Sequence, residues 1–268
     1  MQLYNCVVQI NTSSCHKAVK AGLRGFVRFD LPSYSERQTM IHPWTELRFI
    51  NNEIGYGVVA TRFIPKGTIT WAFDKLDREF TQNQVDLLAP MFKEIMDKYC
   101  FRNSKGNHIL CWDNGRYVNH SFHSNCMTTP YDYEIAIRDI KEGEELTDDY
   151  GYLNIDEPFR GIDEGTRRKI VYPDDLVKYH KTWDKQLIKA MKNLSKVEQP
   201  LQPLLTQETW EKSVRISEGR EEMDSILNCY YGERNIENHE YKSTNLMMGM
   251  ETANSCEVPS RHRHHHNR

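Results

Sequence analysis

Residues 116–126 read RYVNHSFHSNC, and the triplet Asn119-His120-Ser121 at their centre decides the fold prediction. Asn119 offers a hydrogen-bond donor and an acceptor, and His120 offers another pair, so both suit the edges of a polar ligand. The alternative is that both side chains satisfy buried strand ends, as most buried polar groups must. The stretches on either side of this motif decide between the two interpretations.

Two glycine-containing stretches flank the motif in the chain. Residues 55–61 read GYGVVAT and are followed by a Pro-Lys-Gly turn at 65–67, while residues 143–152 read GEELTDDYGY. A pair of glycines lets the backbone turn tightly and approach a ligand without interference from a Cβ atom. Short β-branched runs separated by such turns predict a series of small strands.

In this order, the three stretches resemble the SET family of protein-lysine methyltransferases, and TDDYG at 147–151 looks closest to small stand-alone SET proteins of bacterial type. The resemblance covers residues 42–190 and implies a mainly β fold with short helices. It implies several small curved sheets, a threaded, pseudoknot-like C-terminal segment and a C-terminal helix. The activity that it implies is methyl transfer from S-adenosyl-L-methionine to the side-chain amine of a protein lysine. The positions that match the family's cofactor-binding residues are Gly55, Tyr56, Gly57, Asn119, His120 and Tyr150.

Tyr150 is the residue that we expect to be catalytic. Methyl transfer needs an uncharged amine, whereas free lysine has a pKa near ~10.4 and is mostly protonated at pH 7. An apolar, aromatic channel lowers this pKa because it desolvates the ammonium group. By resemblance, the tyrosine hydroxyl at the end of that channel orients the amine, and no dedicated general base is needed. The alternative for Tyr150 is a core aromatic near the end of a strand.

The sequence departs from the family pattern at the positions that bind zinc in many relatives. Phe122 stands where those relatives have a cysteine, and residues 159–168 contain no cysteine. A tetrahedral zinc site needs its full ligand set, so we predict no zinc. In those relatives the zinc ion closes the lysine channel. By resemblance, the helical stretch around Trp183 must then supply the missing wall of that channel. A competing metal site would use the set His120, His123, Cys126 and Cys111, which has plausible ligand types.

A further departure is Asp148, which occupies a position where relatives often have Phe or Tyr and which is associated with the number of methyl groups added. The number of methyl groups therefore stays open.

Four segments are predicted along the chain. Residues 1–40 form an N-terminal extension with no acidic residue before Asp30, either a basic organellar targeting segment or a poorly ordered arm. Residues 41–152 form the SET domain. A T-x-x-Q capping box at 81–84 starts a helical stretch that Pro90 splits in two. Residues 153–195 form a helical C-terminal segment with a helix over 174–194, and the polar, aperiodic residues 196–268 are predicted to be disordered.

Composition limits the partners. The net charge of −3 and the absence of an apolar run of membrane-spanning length predict neither direct nucleic-acid binding nor membrane insertion. Seven scattered cysteines without a CxxC pair indicate reduced thiols and an intracellular, soluble protein, cytoplasmic or nuclear. We expect a monomer that binds a lysine-containing protein or peptide, such as a histone-like or ribosomal protein. The competing hypothesis is a catalytically silent SET module that binds cofactor or a lysine-containing partner without turnover.

Overall fold

The computed structural model of the chain describes residues 41–232, which form twelve short strands and four α-helices. The strands are β1 (Thr45–Asn51), β2 (Gly55–Ala60), β3 (Ile69–Ala72), β4 (Arg78–Phe80), β5 (Cys100–Arg102), β6 (His108–Leu110), β7 (Asn119–His120), β8 (Cys126–Thr128), β9 (Tyr133–Ala136), β10 (Thr147–Asp148), β11 (Phe159–Arg160) and β12 (Ile170–Val171). The α-helices are α1 (Gln82–Asp86), α2 (Pro90–Tyr99), α3 (Asp175–Leu194) and α4 (Gln207–Ser217). Short 3₁₀ helices occupy Asn114–Tyr117, Tyr150–Tyr152, Gln202–Leu204 and Ile226–Cys229.

The strands of the described region pair into five small sheets. The antiparallel sheets are β1-β2, β3-β9-β8, β4-β6-β5 and β11-β12, and β7 and β10 form a parallel pair. The β1-β2 hairpin turns where the Asn51 side chain accepts hydrogen bonds from the backbone of Glu53 and Ile54. Gly55 follows with a φ of +82°, a value that favours glycine. The predicted mainly β fold of small sheets is confirmed.

A late part of the chain lies between two earlier segments. The Leu146 amide donates to the Val58 carbonyl of β2, and Thr147 and Asp148 then pair with Asn119 and His120 of β7. Parallel strands cannot be joined by a tight turn, so the chain between β7 and β10 must loop away and return. This arrangement brings the glycine stretch, the Asn-His pair and Tyr150 to one place.

Two apolar clusters support these sheets. The helix α3 packs Leu187 and Met191 against Tyr133 and Ile135 of β9, and Trp183 packs edge-to-face on Tyr152 with ring centroids 5.3 Å apart. A second cluster lies between β2 and the motif strands; its buried members include Val58, Ile64, Val118, Ile140 and Leu146. Leu146 belongs to the second cluster and Tyr152 to the first, so the segment that carries Tyr150 is anchored at both ends.

The helices of the core region follow the predicted signals. Thr81 and Gln84 form the predicted capping box at the start of α1, and Pro90 starts α2, so the helical stretch is indeed split there. The predicted helix over 174–194 is α3, which begins one residue later. None of the helices in residues 41–232 is long and apolar enough to cross a membrane.

The prediction of disorder from residue 196 onward is wrong for residues 196–232. The helix α4 packs on α3, and Leu201, Ile216 and Ile226 of this segment are buried. The hydroxyls of Ser213 and Tyr133 lie 2.9 Å apart in the interface. The few apolar residues here fold because α3 offers them a surface, which composition alone does not reveal. The predicted N-terminal extension (1–40) and the tail residues 233–268 lie outside the described residues.

Candidate active site

The glycine stretch is held against the Asn-His motif by a short hydrogen-bond network. The Asn119 amide nitrogen donates to the Tyr56 carbonyl at 3.0 Å and to the Glu145 carboxylate at 2.7 Å. A Cβ atom on Gly57 would lie 2.2 Å from the nearer Glu145 carboxylate oxygen. A side chain at position 57 would displace the Glu145 carboxylate from Asn119, so glycine at this position preserves the hydrogen bond between them.

Asn125 fixes the neighbouring backbone. Its side-chain oxygen accepts from the Thr147 amide at 2.8 Å, and its nitrogen donates to the Glu145 carbonyl at 2.7 Å. The Ser121 amide adds a bond of 2.9 Å to the Asp148 carbonyl. Asn125 and Glu145 were missed as site residues, although both lie in the stretches that resemble the SET family.

His120 has one ring nitrogen occupied and one without a partner. Its Nδ1 atom accepts from the Tyr150 amide at 3.2 Å, so in the neutral ring the proton is on Nε2. Nε2 is buried and has no hydrogen-bond partner among the described residues. Burial lowers the pKa of His120, which keeps the ring neutral at pH 7. A buried donor without an acceptor is costly and marks a place where a ligand acceptor is missing.

Tyr150 lies beside His120, with ring centroids 5.3 Å apart. Its hydroxyl donates to the Val118 carbonyl at 2.9 Å, and burial raises its pKa above the ordinary tyrosine value, so the hydroxyl keeps its proton. On its other side, Tyr150 lines a cavity of about 550 Å³. The further lining residues include Trp71, Met96, Asp97, Phe101, Arg102, Arg116, Val118, Glu134, Asp148, Leu153 and Asp156.

Residues 159–168, which contain no cysteine, form a segment that we call the cover segment. The Phe159 ring lies 5.5 Å from His120 and 6.1 Å from Tyr150, measured between ring centroids. The Glu164 carboxylate accepts hydrogen bonds of 2.7 Å from the Ser121 hydroxyl and from the Phe122 amide. The cover segment is thereby attached to the Asn-His motif by polar contacts to two residues of that motif.

Arg168 completes this attachment. Its guanidinium pairs with Asp149, next to Tyr150, and with Asp175 at the start of α3. The rings of Phe122, Tyr179 and Trp183 surround it at 5.0 to 5.8 Å. The helical stretch around Trp183 was expected to supply the missing wall; Trp183 packs on Tyr152, and Phe159 of the cover segment lies beside His120 and Tyr150.

The structure thus brings together four of the predicted site residues: Gly57, Asn119, His120 and Tyr150. Tyr56 contacts this cluster through its backbone carbonyl, and the residue is 53% exposed. Gly55 supplies the turn before them. The competing metal set does not assemble: within residues 41–232, no group of three or more His, Cys, Asp or Glu side chains is placed to hold an ion. Cys111 and Cys126 are buried free thiols.

The class of protein is thus a domain of small sheets in which a partly buried tyrosine contacts the Asn-His cluster and also lines a cavity. Comparison with protein families shows that residues 55–151 match the family model described as SET domain, as the motifs predicted. The SET family is a family of protein lysine methyltransferases that use S-adenosylmethionine.

One solved structure that matches is described as apo ctPRC2 with E840A and K852D mutations in Ezh2. The identity is 24%, the match covers 41% of this chain and 15% of that chain, and the TM-score is 0.34. The chain thus spans a small part of that protein's length. No curated protein matches the chain.

Proposed function

We propose that the protein is an active methyltransferase that uses S-adenosylmethionine to methylate the side-chain amine of a protein lysine. The observation that carries the proposal is the position of Tyr150 between the Gly57-Asn119-His120 cluster and a cavity of about 550 Å³. A cavity of this volume accommodates an extended lysine side chain. Cofactor and substrate would approach from opposite sides, with Tyr150 between them.

The residues of the cluster fit the cofactor. The buried Nε2 atom of His120 offers a donor without a partner, and Asn119 presents an amide oxygen beside the glycine stretch. We assign Gly55, Tyr56, Gly57, Asn119 and His120 to the cofactor. When bound, S-adenosylmethionine supplies the methyl group.

The chain's own residues would bind and orient the lysine. The Tyr150 hydroxyl keeps its proton and donates a hydrogen bond to the Val118 carbonyl, so its oxygen can still accept a hydrogen bond from the target amine in the cavity that Tyr150 lines. The rings of Trp71 and Phe101 line the cavity along the aliphatic part of a lysine. Asp97 lines it as well, and its charge favours a basic peptide.

Replacement of Tyr150 by phenylalanine tests the proposal. The purified protein and the variant are incubated with labelled S-adenosylmethionine and a mixed protein lysate, and methyl-lysine is measured by mass spectrometry. Wild-type protein should form methyl-lysine, and Tyr150→Phe should lower kcat by roughly 10² or more because the lost hydroxyl acts at the reacting amine.

Tyr179→Phe is the matched control. Its ring lies against Arg168 on the outer side of α3, so loss of its hydroxyl should leave the rate unchanged. A wild-type protein that binds the cofactor and forms no methyl-lysine would favour the catalytically silent module. A Tyr150→Phe protein that methylates at the parental rate would take the catalytic role from this residue.

A further inference from the structure

Two carboxyl groups lie at the inner end of the cavity beside Tyr150. Glu134 comes from β9 and Asp148 from β10, and both line the cavity. Asp148 is only 3% exposed, and one of its oxygens accepts a hydrogen bond of 3.0 Å from the Tyr152 hydroxyl. An aspartate at this position replaces the aromatic side chain that the family resemblance leads one to expect.

The two carboxyl groups share a proton. A hydrogen bond joins the two carboxyl groups, and burial raises the pKa of Asp148 to about 6 and that of Glu134 well above its ordinary value. Two carboxylates in contact cannot both ionise at low cost, so at pH 7 the two groups share one proton. The pair therefore carries about one negative charge at the end of the cavity.

Within residues 41–232, no Lys or Arg side chain forms an ion pair with either carboxyl group. The neighbouring charges that act on the pair are those of Asp113 and Asp149, which are also acidic. Arg102 lines the cavity but pairs with Asp156 at 2.7 Å. A buried negative charge without a protein cation is expensive and is usually found where a ligand supplies the opposite charge.

We propose that Glu134 and Asp148 form the cation-binding end of the channel and accept hydrogen bonds from the ammonium group of the target side chain. Given the proposed function, that group is the lysine ammonium. The pair then selects amines that still carry N–H bonds and excludes quaternary ones, which have nothing to donate.

The pair also provides a destination for the proton that the amine must lose. One N–H bond of the ammonium breaks and its electron pair stays on nitrogen, while an O–H bond forms on Asp148. The products are a neutral amine and two neutral carboxylic acids, so charge and atoms balance. An apolar, aromatic channel would leave the amine to lose its proton to solvent, whereas here the acceptor lies in the channel itself.

The test uses the protein without cofactor and probes that stand for the end of the side chain. n-Butylammonium has the carbon chain and charge of lysine, 1-butanol has a similar chain without the charge, and tetramethylammonium has the charge without N–H bonds. Binding is followed by NMR at the Trp71 indole, which lines the cavity. We expect n-butylammonium to bind at least about tenfold more tightly than either other probe.

Variants locate the charge. The double variant Glu134→Gln/Asp148→Asn should weaken n-butylammonium binding at least about tenfold, whereas Glu142→Gln, which changes an exposed acid outside the cavity lining, should change the affinity less than about threefold. No binding of n-butylammonium, equal binding of 1-butanol or tetramethylammonium, or unchanged affinity in a folded double variant would each overturn the proposal. The comparison of probes on wild-type protein decides the question even if the double variant does not fold. Because no methyl transfer is measured, failure here is distinguishable from failure of the proposed enzyme activity.

Discussion

Replacement of Arg168 by methionine should remove a large part of the stability of the described region. The Arg168 guanidinium lies 2.9 Å from an oxygen of Asp149 and 2.7 Å from one of Asp175. The two acidic side chains are only 5% and 1% exposed. Removing one partner of a buried ion pair leaves an uncompensated charge and typically costs about 3–5 kcal/mol. The loss of cation–π contact costs about 1 kcal/mol more, which methionine packing partly offsets.

Urea denaturation followed by circular dichroism at pH 7 measures this cost. The free energy of unfolding of small domains is about 5–15 kcal/mol. For most values in this range, a loss of about 3–5 kcal/mol lowers the urea concentration at the unfolding midpoint measurably and leaves the protein folded in water. Arg48→Met is the control, because Arg48 pairs with Glu46 on the surface and both side chains are nearly half exposed. Such an exposed pair contributes at most about 1 kcal/mol.

A loss below about 1 kcal/mol in Arg168→Met would refute the assignment of Arg168 as a buried clamp. The cause of the loss can be isolated by adding Asp149→Asn and Asp175→Asn to the Arg168→Met background. If the cost comes from the two stranded carboxylates, this triple variant should regain at least half of the lost stability. If the cost comes from packing of the guanidinium, the triple variant should be no more stable than Arg168→Met.

Two further predictions concern the cofactor side of the site and the buried titratable groups. Gly57→Ala should lower the affinity for S-adenosylmethionine, measured by calorimetry, at least about tenfold. The reason is that the new Cβ atom would lie 2.2 Å from a Glu145 carboxylate oxygen and would displace it. Unchanged affinity would contradict this account of position 57. Burial raises the pKa of Asp148 from 3.8 to about 6, so the folded state holds an extra proton, and the stability of wild type relative to Asp148→Asn should fall by about 2 kcal/mol as the pH rises from 4 to 6. Burial also lowers the pKa of His42 from 6.5 to about 4, which makes the stability of both proteins rise with pH over the same range. The informative quantity is therefore the difference in stability between wild type and Asp148→Asn, measured by urea titrations at several pH values. A pH-independent difference would mean that Asp148 does not titrate in this range.

The local parts of the fold could be predicted because their signals lie within a few residues. The capping box at Thr81 and the proline at 90 specify helix starts by themselves, and the 3.6-residue apolar stripe of α3 needs no partner to be recognised. The segment at 196–232 gave no such pattern. Its helix α4 starts at the N-cap Thr206, whose hydroxyl accepts from the Thr209 amide, but a single cap is too weak a signal without the surface that α3 provides.

The same distinction applies to the site. Asn119, His120 and Tyr150 could be found because they lie in contiguous motifs, whereas Glu134 and Arg168 have their roles only through distant partners. Glu134 is one polar residue of a short strand, and nothing in its neighbours indicates that the pairing of β7 with β10 brings Asp148 to it. Arg168 is one of several basic residues after the last motif. Only the folded chain places its guanidinium between Asp149 and Asp175.

The cover segment connects these observations, since it joins the Asn-His motif to α3 through charged contacts. Glu164 binds Ser121 and the Phe122 amide, which directly follow His120, while Arg168 binds Asp149, which directly precedes Tyr150. The hydrogen bond from the Tyr150 amide to His120 lies between these two attachments. The bonds that hold the cover segment are therefore next to the bonds that set the His120–Tyr150 geometry. It follows that a change that releases the cover segment should disturb cofactor binding and the position of Tyr150 together, even where the changed residue contacts neither ligand.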